Sequence, residues 1–245
     1  MPVIALQGIR GGTGSTSVVS GLAFALQQLG ESVLLIDFSP DNLLRLHFNM
    51  PFAQSRGWAR ALVDGIPWQE GAMRYTKLLD FLPFGRTSQK ERIDLEATKY
   101  PPEADFWQLN LSLLTASKKY RWILLDIPAN DSVLTQHALS LTKQIIGVLN
   151  PDISCHVRLH QQELKGHRYY LINQYNAAYQ LQRDLLQLWQ YTIPDLLPLL
   201  IHRDEAIAEA FAVKQPLGEY GSNSLAAQEL RTLANWCLAH IETSP

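Results

Sequence analysis

The chain has 245 residues, enough for one sizeable α/β domain with a full core, and its 47% hydrophobic and 18% charged content excludes a disordered chain. Its net charge is −2 and no cluster of lysine or arginine exceeds a pair such as Lys118-Lys119, which argues against a nucleic-acid partner. No apolar run reaches the roughly 18 residues of a membrane span, and Met1-Pro2-Val3-Ile4 enters a strand with no basic-then-apolar leader, so a cytoplasmic protein is expected.

Val3-Ile4-Ala5-Leu6 is a short apolar run of strand type, and over residues 18–29 apolar side chains recur at helical spacing through Leu22, Ala25, Leu26 and Leu29. Between them lies a glycine-rich turn, Gly8-Ile9-Arg10-Gly11-Gly12-Thr13-Gly14-Ser15-Thr16-Ser17. Such a turn lets successive backbone N–H groups curl around phosphate oxygens, with the positive dipole end of the following helix behind them. Gly11, Gly12 and Gly14 suit that geometry. Thr16 stands where the pattern Gly-x4-Gly-Lys-Ser/Thr places the hydroxyl that completes a Mg²⁺ shell, and Ser17 is a weaker substitute. The same pattern asks for glycine at position 9 and lysine at position 15, and the chain has Ile9 and Ser15. A phosphate loop without its lysine and an ordinary tight turn are both open at this point.

Further strand-type runs follow at residues 32–37, 79–83, 122–126, 144–149, 169–173 and 197–201, with helical patterns between most of them. This alternation predicts an α/β fold, a doubly wound, mostly parallel sheet of about seven strands with helices on both faces, in a single domain spanning 1–245. Trp122-Ile123-Leu124-Leu125 is continuously apolar, as a strand buried on both faces should be. The most polar and least periodic stretch, 86–102, reads as a surface excursion. Cys155 and Cys237 fit neither a paired metal motif nor a disulfide framework and read as packing residues.

Ligands of open α/β sheets bind beyond the carboxyl ends of the strands, so the polar residues that follow the runs are the candidate site. Asp37 is a site residue or a turn and helix-cap residue. Asp126 closes an apolar run, where a buried carboxylate without a partner would be costly. Asn173 offers both a donor and an acceptor to a ligand, or it caps a turn. Arg158, a turn beyond Asn150-Pro151-Asp152-Ile153-Ser154, is in reach of a phosphate or a partner chain, or is a solvated helix arginine. His202 is a loop histidine or a ligand contact, and no spacing with other histidines points to a metal.

Arg10-Gly11-Gly12-Thr13-Gly14-Ser15-Thr16 resembles the deviant Walker A loop, Lys-Gly-Gly-x-Gly-Lys-Thr, of the ParA/MinD family of dimeric P-loop ATPases. Within that family, Pro40-Asp41-Asn42-Leu43-Leu44-Arg45-Leu46, Gly57-Trp58-Ala59-Arg60-Ala61, Arg158-Leu159-His160-Gln161-Gln162, His202-Arg203-Asp204-Glu205-Ala206 and Leu233-Ala234-Asn235-Trp236-Cys237 resemble the branch that accompanies bacterial cellulose secretion. The likeness covers essentially the whole chain. It implies that Arg10, Gly11, Gly12, Thr13, Gly14, Ser15, Thr16 and Ser17 hold ATP, and that Thr16, Asp37 and Asp126 hold Mg²⁺. Asp126-Ile127-Pro128-Ala129-Asn130 is similar to the family's Asp-x-Pro-Ala-Gly segment. Asp152 lies in a stretch similar to Asn-Pro-Glu-x-x-Ser, which in MinD-like proteins faces the nucleotide of the opposite subunit. By the same resemblance Asn173 reads the base, while His202, Arg203 and Asp204 belong to the loop that wraps the far side of adenine.

The resemblance makes Arg10 and Asp37 the catalytic positions. Arg10 replaces the lysine that crosses the dimer interface, keeping the charge and gaining a planar fork that can bind phosphate oxygens in a bidentate way. Asp37-Phe38-Ser39-Pro40-Asp41 resembles the switch segment Asp-x-Asp-Pro-Gln, with Ser39 in place of the aspartate that positions the attacking water. A serine hydroxyl carries no negative charge and is no efficient base at neutral pH, and Ser15 brings no cation to the β- and γ-phosphates. ATP binding with slow or negligible hydrolysis is the expectation.

What the resemblance implies for function is a homodimer around ATP and Mg²⁺ that supports an inner-membrane cellulose synthase from the cytoplasmic side, with a small secretion partner subunit and a cyclic-di-GMP-sensing partner. A working ATPase that positions division sites or DNA cargo is the first alternative. Residues 232–245 carry no lysine and form no basic amphipathic tail, and the net charge gives no basic face for DNA. A nucleotide-free interaction scaffold is the second. A cluster-bridging redox role is set aside, since it takes two cysteines per subunit at suitable loops and Cys237 is in the terminal helix.

Overall fold

The computed structural model describes residues 2–97, 106–161 and 168–241. Its strands are β1 (Val3–Gly8), β2 (Val33–Asp37), β3 (Met73–Arg74), β4 (Leu79–Leu82), β5 (Trp122–Ile127), β6 (Gln144–Leu149), β7 (Arg168–Tyr175) and β8 (Leu196–His202). Its helices are α1 (Ser15–Gln28), α2 (Trp58–Val63), α3 (Gln89–Glu96), α4 (Phe106–Ala116), α5 (Val133–Ser140), α6 (Ile153–Gln161), α7 (Gln180–Thr192), α8 (Glu205–Ala212), α9 (Leu217–Tyr220) and α10 (Leu225–His240). One sheet results, in the order β3-β4-β2-β5-β1-β6-β7-β8, parallel throughout except for β3 against β4.

Each predicted apolar run forms a strand. The additional strand, β3, pairs only Met73 with Phe81 and Arg74 with Asp80, too short a segment to carry a period of its own. In β1, β2 and β5 successive side chains point to opposite faces of the sheet. Ile4, Leu6, Leu35, Trp122 and Leu124 join one core with α1 and α10, whereas Ala5, Leu34, Ile36, Ile123 and Leu125 join the other with Trp58 of α2 and Trp107 of α4. Further along that second face, Leu149 and Ile172 pack with Cys155 of α6 and Leu185 and Trp189 of α7. Both cysteines are buried and free. Gly21 lets α10 lie directly on α1, because a Cβ there would sit 2.5 Å from Leu230 Cδ1.

Helix α1 starts at Ser15, ahead of the apolar periodicity that begins at Val18, since Gly14 takes the cap position with φ 81° and its carbonyl accepts from Val18 N–H at 3.0 Å. Within the stretch read as a surface excursion, α3 forms behind a capping box: Ser88 Oγ accepts from Glu91 N–H at 3.3 Å and Glu91 Oε2 from Ser88 N–H at 2.7 Å. Leu95 anchors this helix in the core. Residues 98–102 of that stretch and 242–245 of the tail lie outside the described residues.

Candidate nucleotide and metal site

The loop after β1 emerges at the centre of the sheet, between the carboxyl ends of β5 and β6. Gly12 and Gly14 both hold φ 81°, a left-handed conformation that residues with a Cβ resist. The loop folds over Gly8, where a Cβ would lie 2.2 Å from Thr13 Oγ1 and 2.7 Å from the Arg10 carbonyl. The backbone therefore needs glycine at positions 8, 12 and 14, whereas a Cβ on Gly11 would meet nothing within 4 Å.

Asp37 and Asp126 are register partners at the ends of β2 and β5, with relative exposures of 0% and 1%. Asp37 Oδ1 accepts from Ser39 N–H at 2.7 Å, and Trp58 Nε1 donates to the Asp37 carbonyl at 2.7 Å. The Oδ2 atoms of both aspartates are buried without a hydrogen-bond partner. Burial raises the Asp37 carboxyl well above its ordinary range, and the neighbouring Asp126 charge adds to this. Burial raises Asp126 likewise, against a hydrogen bond from Thr16 that favours its ionised form. Two adjacent buried carboxylates cannot both ionise at low cost unless a cation joins them. Their orphaned Oδ2 atoms, with the Thr16 hydroxyl against Asp126, fit Mg²⁺, a hard ion that takes one or two carboxylates and completes its shell with phosphate and water.

Arg10 folds back within its own chain. Its guanidinium donates from NH2 to Asp152 Oδ2 at 2.5 Å and from NH1 to the Gly11 carbonyl at 2.7 Å, while Nε is buried without a partner. Asp152 is fixed in turn, since its Oδ1 accepts from Cys155 N–H at 2.8 Å at the start of α6. Burial is the largest influence and acts to raise the Asp152 carboxyl, but the Arg10 hydrogen bond, the Cys155 N–H and the Arg10 charge together outweigh it and leave the group below its ordinary value. The same hydrogen bond raises Arg10.

On the other side of the loop, Asn173 Nδ2 donates to the Thr13 carbonyl at 2.7 Å and Gln174 Nε2 to the Gly12 carbonyl at 3.3 Å. The Asn150 amide, oriented by its acceptors, donates to the carbonyls of Thr13 at 3.2 Å and Asn173 at 3.3 Å. Beyond β8, His202 Nδ1 lies 2.5 Å from Glu229 Oε1 and its backbone N–H donates to Glu229 Oε2 at 2.8 Å. Arg203 N–H donates to the Tyr175 carbonyl at 2.8 Å, which ties this loop to the end of β7. Asp204 caps two helices at once, accepting from Ala206 N–H at 3.0 Å and Ala226 N–H at 3.1 Å.

The ends of β1, β2, β5, β6 and β7 thus gather the loop from Arg10 to Ser17 with Asp37, Asp126, Asp152 and Asn173. His202 ends β8 and Arg203 and Asp204 follow it, at the flank of this group. Arg158 lies exposed on α6, and no described contact joins it to the loop. Sequence reasoning did not single out Asn150, Gln174, Trp58 or Glu229. Asn150 and Trp58 stood in quoted segments without a role and Gln174 follows Asn173 directly, whereas Glu229 reaches the site only through the tertiary fold.

A glycine loop at the central strand of such a sheet, with paired buried aspartates at the neighbouring strand ends, is the fold of the P-loop NTPases of the MinD/ParA type. The fold is similar to the septum site-determining protein MinD complexed with Mg-ADP from Pyrococcus horikoshii, with TM-score 0.74 and 23% identity over 99% of this chain and 98% of that one. It is similar also to the MinD cell division protein of Aquifex aeolicus, with TM-score 0.78 and 18% identity over 100% of this chain and 99% of that one. The family model for cellulose biosynthesis protein BcsQ matches residues 1–238, and the chain belongs to that family. It is 48% identical to the BcsQ protein of Escherichia coli K12 over 245 residues, covering 97% of this chain and 94% of the relative. Against BcsQ of Salmonella typhi it is 49% identical over 247 residues, covering 98% and 95%.

Proposed function

We propose that this chain is an ATP-binding regulatory subunit of a bacterial cellulose synthase secretion complex, dimerising around ATP and Mg²⁺ with slow or negligible hydrolysis. The observation that carries the nucleotide reading is the pair of buried carboxylates, Asp37 and Asp126, whose unpartnered oxygens lie beside Thr16 at the start of α1. The bound metal would supply positive charge to the phosphate oxygens. Thr16, Asp37 and Asp126 would hold it, and the backbone N–H groups of Gly11 to Thr16 would face the phosphates. Arg10, once released from Asp152, would add a bidentate contact to a phosphate of its own or of the partner subunit. Ser15 and Ser39 leave the reacting centre with one cation and one carboxylate fewer than the ParA/MinD pattern, so bound ATP would act mainly as interfacial glue.

The cellulose reading rests on membership of the BcsQ family. Its partners on this reading are a small secretion subunit, a cyclic-di-GMP-sensing protein and the membrane cellulose synthase, with no nucleic acid. Among the described residues no helix is long and apolar enough to cross a membrane, so recruitment from the cytoplasm to the inner membrane would run through those partners. Calorimetry with ATP and Mg²⁺ on the purified chain tests the binding, with Asp126→Asn as control, and single-turnover phosphate release tests the chemistry. Saturable Mg²⁺-dependent uptake with phosphate release slower than nucleotide exchange is expected. No uptake would refute nucleotide binding, and rapid release would refute the regulatory role.

A further inference from the structure

We infer that Asn173 and Gln174, at the carboxyl end of β7, are positioning residues that clamp the phosphate loop and preset its N–H groups, in addition to any contact with a base. This rests on the nucleotide reading above and concerns how the site binds without a lysine at position 15. Several glycines give the loop backbone wide conformational freedom, and with Ser15 in the sequence its grip on phosphate depends on backbone dipoles. A dipole binds best when it already points at its ligand, because ordering a loose loop on binding costs affinity.

The amides of β7 restrain that loop through its carbonyls. Asn173 is 2% exposed, and its Nδ2 is committed to the Thr13 carbonyl at 2.7 Å, while its Oδ1 is buried without a partner. Gln174 adds a bond to the preceding carbonyl, Gly12, at 3.3 Å. It does so from φ 57°, a left-handed conformation that glutamine rarely adopts and that turns its side chain toward the loop. Both amides also press on the second left-handed glycine, since a Cβ on Gly14 would lie 2.7 Å from Asn173 Nδ2 and 3.3 Å from Gln174 Nε2. With the Gly12 and Thr13 carbonyls drawn toward β7, the N–H groups in the same two peptide planes, those of Thr13 and Gly14, are left to face the opposite side. Asn173 then has Oδ1 and the second N–H of its amide left for a base.

The test compares a ligand with a base and one without. Binding of ATP and of inorganic tripolyphosphate, each with Mg²⁺, is measured for the wild-type chain, Asn173→Ala and Gln174→Gly, with thermal unfolding alongside. Asn173→Ala should weaken both ligands by the same factor, about ten-fold for one buried hydrogen bond. Gln174→Gly should weaken both by about two- to five-fold while leaving Tm unchanged or higher, because glycine relieves the left-handed backbone. A merely structural residue would not lower affinity while preserving stability. Loss confined to ATP, no loss in either variant, or a wild-type chain that binds ATP but not tripolyphosphate would overturn the clamp. A wild-type chain that binds neither ligand refutes the nucleotide reading instead. Hydrogen exchange of the Gly12 to Gly14 amides in the free chain then decides the clamp alone, with faster exchange expected in Asn173→Ala and equal rates overturning it.

Discussion

Replacing Trp58 with phenylalanine would separate two roles that the structure combines in one side chain. The indole is 1% exposed, donates from Nε1 to the Asp37 carbonyl at 2.7 Å, and packs against Phe38, Phe84 and Trp107 with ring centroids 5.5, 4.9 and 5.1 Å away. Removing the N–H forfeits a buried hydrogen bond, worth about 1 kcal/mol net and about 2–3 if the carbonyl is left without a donor. The smaller ring leaves a gap of a few tens of Å³, which at roughly 24 cal/mol per Å³ costs about another 1 kcal/mol. A loss of about 2–4 kcal/mol in urea unfolding is expected. If the indole also fixes Asp37, Mg²⁺ titration of the nucleotide-bound variant should show weakened metal affinity, while nucleotide binding in chelator stays as in the wild type. Stability loss with an unchanged Mg²⁺ isotherm would reduce Trp58 to a core residue and refute the positioning argument. Unchanged stability would refute the hydrogen-bond reasoning itself.

Asp152→Asn keeps a side chain able to cap Cys155 N–H but removes the charge that holds Arg10, a pair with side-chain exposures of 27% and 34%. Stability should fall by less than about 1 kcal/mol, because such a partly exposed pair is screened. Calorimetry should find ATP bound several-fold more tightly, an effect that vanishes in an Arg10→Ala background, and equal affinities would count against the restraint. Burial alone pushes the His47 imidazole down to about 4. Its neutral form is favoured in the folded chain, so stability present above about pH 6.5 is lost as pH falls toward 4, by up to roughly 3 kcal/mol. Urea midpoints at pH 7.5 and 4.5 measure this loss, and His47→Phe should flatten it; the same slope in the variant would show that other groups are responsible. Gly14→Ala forces a Cβ to within 2.7 Å of Asn173 Nδ2 at φ 81°, at a cost of about 1–2 kcal/mol from the left-handed backbone and more from the contact. Unfolding and nucleotide uptake should both suffer, and a variant that binds normally would refute the loop geometry.

The strands were legible because burial on both faces leaves an unbroken apolar run, as in Trp122 to Leu125. The two-residue β3 has too little length for any period, and α3 is hidden by a charged face although Ser88 and Glu91 carry its capping box in plain view. For the site, the glycine turn and the two aspartates announced themselves through position at strand ends. Partnership did not. Nothing local to Arg10 says that its guanidinium turns to Asp152, 142 residues away, and nothing local to Asn173 says that its amide holds a carbonyl 160 residues earlier. Asp204 shows the converse: its sequence context resembles an adenine loop, while its observed bonds are those of a double helix cap.

On the proposed reading, these placements bear on how a loop without its lysine would hold phosphate. In the ParA/MinD pattern, ammonium groups supply attraction to phosphate. Here the corresponding charge is a guanidinium held by Asp152, and the loop carbonyls are tied to β6 and β7 by Asn150, Asn173 and Gln174. Preset dipoles preserve affinity for a resident phosphate, while the developing transition-state charge still lacks the cation that a lysine at position 15 would add. On the proposed reading, the lost charge limits turnover and the preorganisation limits the loss of affinity, which leaves a nucleotide that is held rather than consumed. A variant restoring only Ser15→Lys should raise affinity and leave hydrolysis slow, because Ser39 still provides no carboxylate to the attacking water.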